Sequence, residues 1–131
     1  MILVDSSVWI DYFNGTVNRE SDTLDSILGR EPIVIGDLIL AEVLQGFRND
    51  LDFRTAKRLL MSFPIHPLVN TESALRSADL FRTLRKKGIT IRKTVDTFIA
   101  VFCLDNGVPL LTSDREFRAF EKHCGLVLAS R

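Results

Sequence analysis

Five short apolar runs constrain this chain more than any other feature of its sequence. "ILVD" begins at Ile2, "PIVIG" at Pro32, "IHPLV" at Ile65, "PLLTS" at Pro109 and "LVLA" at Leu126. Each is short and mostly apolar at successive positions, so both of its faces must be covered. Strands of a parallel sheet with helices on either side meet that requirement. Helical patterns fill the intervals. Leu59, Leu60 and Phe63 keep helical spacing after Ala56, and Ala74, Leu75, Ala78, Phe81 and Leu84 do so after an expected N-cap at Thr71. Val95, Phe98, Ile99, Phe102 and Cys103 repeat the pattern, and Gly107 then suits the left-handed position that ends a helix. The alternation predicts an α/β fold with a mainly parallel central sheet of about five strands flanked by helices. Residues 1–131 contain no linker, low-complexity tract or internal repeat, which predicts one domain over the whole length.

Charge excludes one class of function. With 17 basic and 17 acidic residues the formal net charge is zero, so attraction to nucleic acid over the whole surface is ruled out. A local basic patch is still compatible with that balance. No apolar stretch approaches the ~20 residues that span a bilayer. Asp5 interrupts the opening apolar run, which is therefore not read as a signal peptide. Cys103 and Cys124 make no disulfide framework and are expected as reduced core residues, which predicts a cytoplasmic location and no membrane partner.

In a sheet of this kind, functional groups collect at the carboxyl ends of the strands. Asp5 ends the first run, Asp37 follows the second and Asp114 follows the fourth. Two further acids stand out by their neighbours: Glu42 in "LILAEVLQGF" and Asp96 in "KTVDTFIAVFCL". Each alone has an ordinary structural explanation. Asp5 would cap the first helix, although Ser6 or Ser7 would serve equally well. Asp37 is expected as the N-cap of its helix. Asp96 and Asp114, in first turns, gain about 0.3–1 kcal/mol from the helix dipole. Glu42 would pair with a nearby arginine. Jointly, Asp5, Glu42, Asp96 and Asp114 are four acids among apolar neighbours near one sheet edge. Carboxylates gathered there raise one another's pKa, and a divalent cation removes the repulsion. An all-oxygen ligand set favours Mg2+ or Mn2+ over zinc. His66 and His123 are expected in structural or exposed positions, and with only these and two distant cysteines a zinc site is not expected.

These residues resemble a known family, the PIN-domain ribonucleases, and within it the VapC-type toxins of toxin–antitoxin pairs. The likeness covers essentially the whole chain. "ILVDSSVWIDYFNG" is similar to the opening strand and helix of the family, with Asp5 at the first metal-binding acid. "LILAEVLQGFR", "IRKTVDTFIA" and "LLTSDREF" are similar to the second, third and fourth motifs, with Glu42, Asp96 and Asp114 at the acids. Any one of these is common; four in the right order are specific. Glu116 stands where many relatives carry an aspartate, which keeps the carboxylate and changes its reach.

The resemblance implies hydrolysis of RNA phosphodiesters by metal-activated water, leaving a 3′-hydroxyl and a 5′-phosphate. Asp5 and Asp96 are then the principal ligands. Asp114 completes the site or binds through water, and Glu42 activates water or serves a second ion. Ser6 and Ser113, with Glu116, are expected to orient the ligands, although both serines are equally explained as N-caps. Arg82, Arg85, Lys86, Lys87, Arg92 and Lys93 fall between Phe81 and Asp96 with no acid among them, and Arg48 follows the Glu42 helix. Arg48, Arg92 and Lys93 are the candidates for RNA phosphates, which give salt-dependent and largely sequence-independent affinity; Arg82, Arg85 and Lys86 are equally read as a solvated helix face. Trp9 and Tyr12 are expected in helix packing. The resemblance further implies a homodimer and a VapB-type antitoxin over the acidic groove. The apolar helices around Leu38–Leu60 suit an interface.

Other readings fit less of the chain. A phosphoacceptor receiver domain shares the length, fold class and early aspartate, but needs an aspartate after the third strand, where "NTES" stands, and a lysine after the fifth. It also leaves Glu42 and Asp96 without a task. A non-catalytic PIN-like module binding RNA or a partner, and an RNA-maturation nuclease, keep the fold and change the use of the site.

Overall fold

The computed structural model describes residues 1–129. Its centre is β1 (Ile2–Val4), which pairs on one side with β2 (Ile33–Gly36) and on the other with β4 (Leu110–Leu111). β3 (Ile65–His66) pairs with β2, giving the order β3-β2-β1-β4 with every pairing parallel. Every residue of β1, β2 and β4 is buried, as the unbroken apolar runs require, while edge strand β3 is half-buried.

Helices fill each crossover. α1 (Ser6–Asn14) and α2 (Arg19–Ile27) follow β1, and α3 (Asp37–Gln45) and α4 (Asp50–Leu60) follow β2. α5 (Thr71–Lys86) and α6 (Thr94–Asn106) pack against each other between β3 and β4. A 3-10 turn (Arg115–Phe117) and α7 (Arg118–Cys124) come last. Trp9 is wholly buried in α1 and packs against the rings of Phe13 and Phe63, as its expected packing role requires. Gly107 ends α6 at φ 63°, the left-handed conformation that its sequence position predicts.

The sheet has four strands where about five were expected. The run from Leu126 contributes a single parallel bridge between Leu128 and Leu110. β4 is only two residues long, and Pro109 before it has no N–H for the ladder, so the outer neighbour has little to pair with. Two expected caps shift by one residue. Asn70, not Thr71, caps α5, because its side chain accepts the Ser73 N–H while Ser73 Oγ accepts the Asn70 N–H. Gly36, not Asp37, precedes α3. Asp37 Oδ1 instead accepts the N–H groups of Leu38 (2.8 Å) and Leu68 (3.0 Å), tying the start of α3 to the segment after β3. The Leu68 side chain lies so close that a Cβ on Gly36 would meet its Cδ1 at 2.5 Å.

Among the described residues no helix is long and apolar enough to cross a membrane.

Candidate active site

The parallel register assembles the site. Val4 pairs with Leu111, and the Asp5 N–H donates to the Leu111 carbonyl at 2.9 Å, so Asp5 and Thr112 leave adjacent strand ends side by side. The Asp5 carboxylate is 4% exposed. Its Oδ2 accepts from Ser7 Oγ at 2.8 Å and from Thr112 Oγ1 at 2.9 Å. Asp5 occupies the N-cap position of α1, yet its side chain makes no capping hydrogen bond. The carboxylate instead takes one hydroxyl from Ser7 in the first turn of α1 and one from Thr112 at the neighbouring strand end. Burial pushes its pKa up, the two hydroxyls pull it down and the charge of Asp114 pushes it up again.

Asp96 comes to the same place from the first turn of α6 and is 6% exposed. Its Oδ2 is buried with no hydrogen-bond partner. Burial first, then the negative charges of Asp5 and Asp114, carry its pKa from 3.8 to about 7, with Lys93 opposing and Glu116 adding to the rise. A buried carboxylate oxygen without a donor is costly, and it is the clearest sign that this group is built for a positive partner.

Glu42 projects from the middle of α3 and is half-buried. Ser6 Oγ donates to its Oε1 at 3.4 Å. Its pKa is raised by burial and by the charge of Asp5, and lowered by Ser6 and Lys93. Asp114 lies at the head of the 3-10 turn, where its Oδ1 accepts the Glu116 N–H at 3.0 Å and its own N–H donates to Thr112 Oγ1 at 3.0 Å. The capping explanation for Asp114 thus holds for one oxygen. Glu116 also turns inward: its Oε2 is buried without a partner, and Arg92 Nε stands 3.6 Å from its Oε1. The charge of Asp5 acts on Glu42 and Asp96, that of Asp114 on Asp5 and Asp96, and that of Glu116 on Asp96, so the structure brings together every acid singled out in the motifs.

The basic candidates divide. Lys93 precedes α6 and its charge reaches Asp96 and Glu42; Arg92 pairs with Glu116. Arg48 is exposed beyond the far end of α3, lining a cavity with Phe13 and Asn14 of the end of α1, so it is not brought to the acids. Ser113 is exposed and gives its backbone N–H to Ser7 Oγ at 3.3 Å. The hydroxyls that hold Asp5 are Ser7, which the sequence reading left to capping, and Thr112, to which it gave no part in this site. The signal was the register: with Val4 beside Leu111, the next residue of each strand must meet. Sequence reasoning also passed over Arg19, Arg115 and Arg118, which line a small cleft with Thr112, Ser113 and Asp114.

Among the described residues no three Asp, Glu, His or Cys side chains are drawn into ligating geometry. The donor set nevertheless fits a hard divalent ion. It is all oxygen, and it includes the unpartnered Asp96 Oδ2 and Glu116 Oε2. Softer donors do not compete: His66 packs against the Phe102 ring, and burial pushes the Cys103 thiol up to about 12, with the charge of Asp5 adding to the rise.

Known proteins share this architecture. The chain is 28% identical over 135 residues to the Ribonuclease VapC11 of Mycobacterium tuberculosis, covering 99% of this chain and 98% of that protein. VapBC2 of Rickettsia felis, solved bound to a DNA fragment from its promoter, superposes with a TM-score of 0.75 at 19% identity, over 98% of this chain and 97% of that one. A toxin–antitoxin complex from Klebsiella pneumoniae gives a TM-score of 0.72 at 21% identity, over 97% and 96% of the two chains. The family model described as PIN domain matches residues 2–123, and this chain belongs to the PIN-domain family.

Proposed function

We propose that this chain is the toxin of a type II toxin–antitoxin pair and acts as a metal-dependent endoribonuclease. The observation that carries the reading is the pair Asp5 and Asp96, two buried carboxylates of raised pKa, the charge of the first adding to the rise of the second, whose Oδ2 has no donor. Similarity to a protein named as a ribonuclease, over nearly its whole length, supports the same reading.

Asp5 and Asp96 would hold the ion, with Asp114 as the further acid of the set, and the all-oxygen donors suit Mg2+ with Mn2+ as a substitute. A divalent ion held there would supply Lewis acidity, lowering the pKa of a bound water and offsetting negative charge at the scissile phosphate. The chain's own groups do the rest. Ser7 and Thr112 fix the orientation of Asp5 through its Oδ2. Glu42, steadied by Ser6 and with a raised pKa, accepts the proton from the attacking water at its carboxylate. Arg92 and Lys93 meet the phosphates flanking the cut, and Arg19, Arg115 and Arg118 extend that contact beside Asp114. Glu116 Oε1 stands 3.6 Å from Arg92 Nε, a loose contact at the rim of the site.

A VapB-type antitoxin is the partner that holds the enzyme inactive, as the toxin–antitoxin complexes of the same fold support. A homodimer and a cytoplasmic location complete the reading. The test is to induce the chain in cells and map RNA ends that carry a 5′-monophosphate, beside Asp96→Asn. New ends that require Asp96 are expected. Their absence from cells holding folded, antitoxin-free wild-type protein would overturn the reading and favour a non-catalytic binding module.

A further inference from the structure

A cavity of about 390 Å³ lies between α5 and α6, beside the acidic site and separate from it. Its lining combines groups that a plain helix interface does not need. Phe81 and Phe98 supply aromatic walls, one from each helix. Arg82 and Arg85 are exposed at its rim, and the Arg85 guanidinium lies 5.6 Å from the centre of the Phe81 ring. Ser77 and Thr97, 4% and 1% exposed, line it from opposite helices. Both hydroxyls are buried with no hydrogen-bond partner. In a helix such hydroxyls usually bond back to the preceding turn, and here neither does. No acidic residue lines the cavity.

We propose that this cavity is a nucleotide subsite, taking the base and phosphate of one RNA nucleotide next to the cut. Its size falls in the range of small-molecule pockets. Aromatic faces stack an unpaired base. The orphan hydroxyls of Ser77 and Thr97 read hydrogen-bonding groups on the base edge, and Arg82 and Arg85 take the phosphate. Thr94 and Thr97 line the cavity from the first turn of α6, the turn that also carries Asp96 on another face. The subsite gives the enzyme base preference, which the surface arginines and lysines alone do not supply. The inference rests on the ribonuclease reading for the natural occupant, while the site itself is testable without cleavage.

The probes are the four nucleoside 5′-monophosphates, titrated in EDTA into isotopically labelled full-length chain and followed by NMR. At least one nucleotide should shift the Ser77 and Thr97 resonances at millimolar concentration. Thr97→Val keeps the side-chain shape and removes the orphan hydroxyl, so the fold should melt no lower. That variant and Arg82→Gln should each weaken binding at least fivefold, and Asp96→Asn should leave it within twofold. On a randomised RNA pool, Thr97→Val should flatten a preference of tenfold or more at one position beside the cut to under twofold. Four results each overturn the subsite: no nucleotide-dependent shift, equal binding by Thr97→Val and Arg82→Gln, binding that follows Asp96, or resonances that respond only to protein concentration, as a covering second copy would cause. Failure of wild type to cut RNA would refute the ribonuclease reading while the titration still decides the subsite.

Discussion

Thr112 donates a 2.9 Å hydrogen bond to Asp5 Oδ2 across more than a hundred residues of sequence, because Val4 and Leu111 pair in adjacent parallel strands. Thr112 thereby holds the same Asp5 oxygen that Ser7 holds. Replacing it with valine keeps the shape and removes the donor. Partners of metal ligands typically contribute 10- to 100-fold to affinity or activity. Thr112→Val should lower RNA cleavage by about that factor and raise the Mg2+ concentration needed for half-maximal rate, with Thr112→Ser restoring most of both. A Mg2+ titration of the cleavage rate checks this.

The raised carboxyl groups set the sign of a pH effect. The pKa of Asp96 rises from 3.8 to about 7 on folding. Between those values the folded chain holds a proton that the unfolded chain has released, so the stabilising contribution is full below the lower value and is lost as pH rises through the upper one. Asp5 is shifted in the same direction. Each pH unit inside the window is worth at most about 1.4 kcal/mol per group. In EDTA the melting temperature should therefore fall from pH 5 to pH 8. Asp96→Asn should flatten that fall, and Mg2+ should oppose it by binding the ionised form. Thermal melts across pH, with and without the ion, decide it.

Much of this was readable before any coordinates, for identifiable reasons. Runs apolar on both faces demand a covered parallel sheet, and a parallel sheet brings its strand ends to one edge. That placed Asp5 and Asp114 together, and the apolar surroundings of Asp96 and Glu42 marked them as facing inward. Finer features depended on register and direction. Thr112 and Ser7 are partners of Asp5 only because of which residues pair across β1 and β4. Arg48 lies beyond the wrong end of α3, which proximity to Glu42 in sequence conceals. The fifth strand shrank to one bridge because its neighbour is two residues long, a fact about pairing and not about the apolar run itself.

Gly36 has no room for a side chain: a Cβ would stand 2.5 Å from Leu68 Cδ1. Its backbone conformation is ordinary, so the constraint is contact alone. Gly36→Ala must push Leu68 away from β2 and loosen the Leu68 N–H bond to Asp37. Overpacking of this kind costs about 1–3 kcal/mol. Urea unfolding should show a lower midpoint with an unchanged slope.

Arg92 has an exposed guanidinium and only a 3.6 Å contact to Glu116, so it is free to swing to a phosphate. Losing one phosphate contact weakens RNA binding evenly across sequences and reduces the dependence of log affinity on log salt by about 0.7 for a single strand. Arg92→Ala should do both, measured by binding of inactive Asp96→Asn protein to single-stranded RNA at several salt concentrations. An unchanged slope would return Arg92 to ordinary surface charge.

The central claim is that Asp5 and Asp96 are buried together in order to hold a divalent cation. Calorimetric titration of Mn2+ into the purified, antitoxin-free chain at pH 7.5 tests it most directly, with Asp96→Asn beside it and circular dichroism to show that both are folded. Saturable binding by the wild-type chain, accompanied by proton release, is expected, with loss of that binding in Asp96→Asn. Equal binding by the two folded proteins, or none by either, would contradict it.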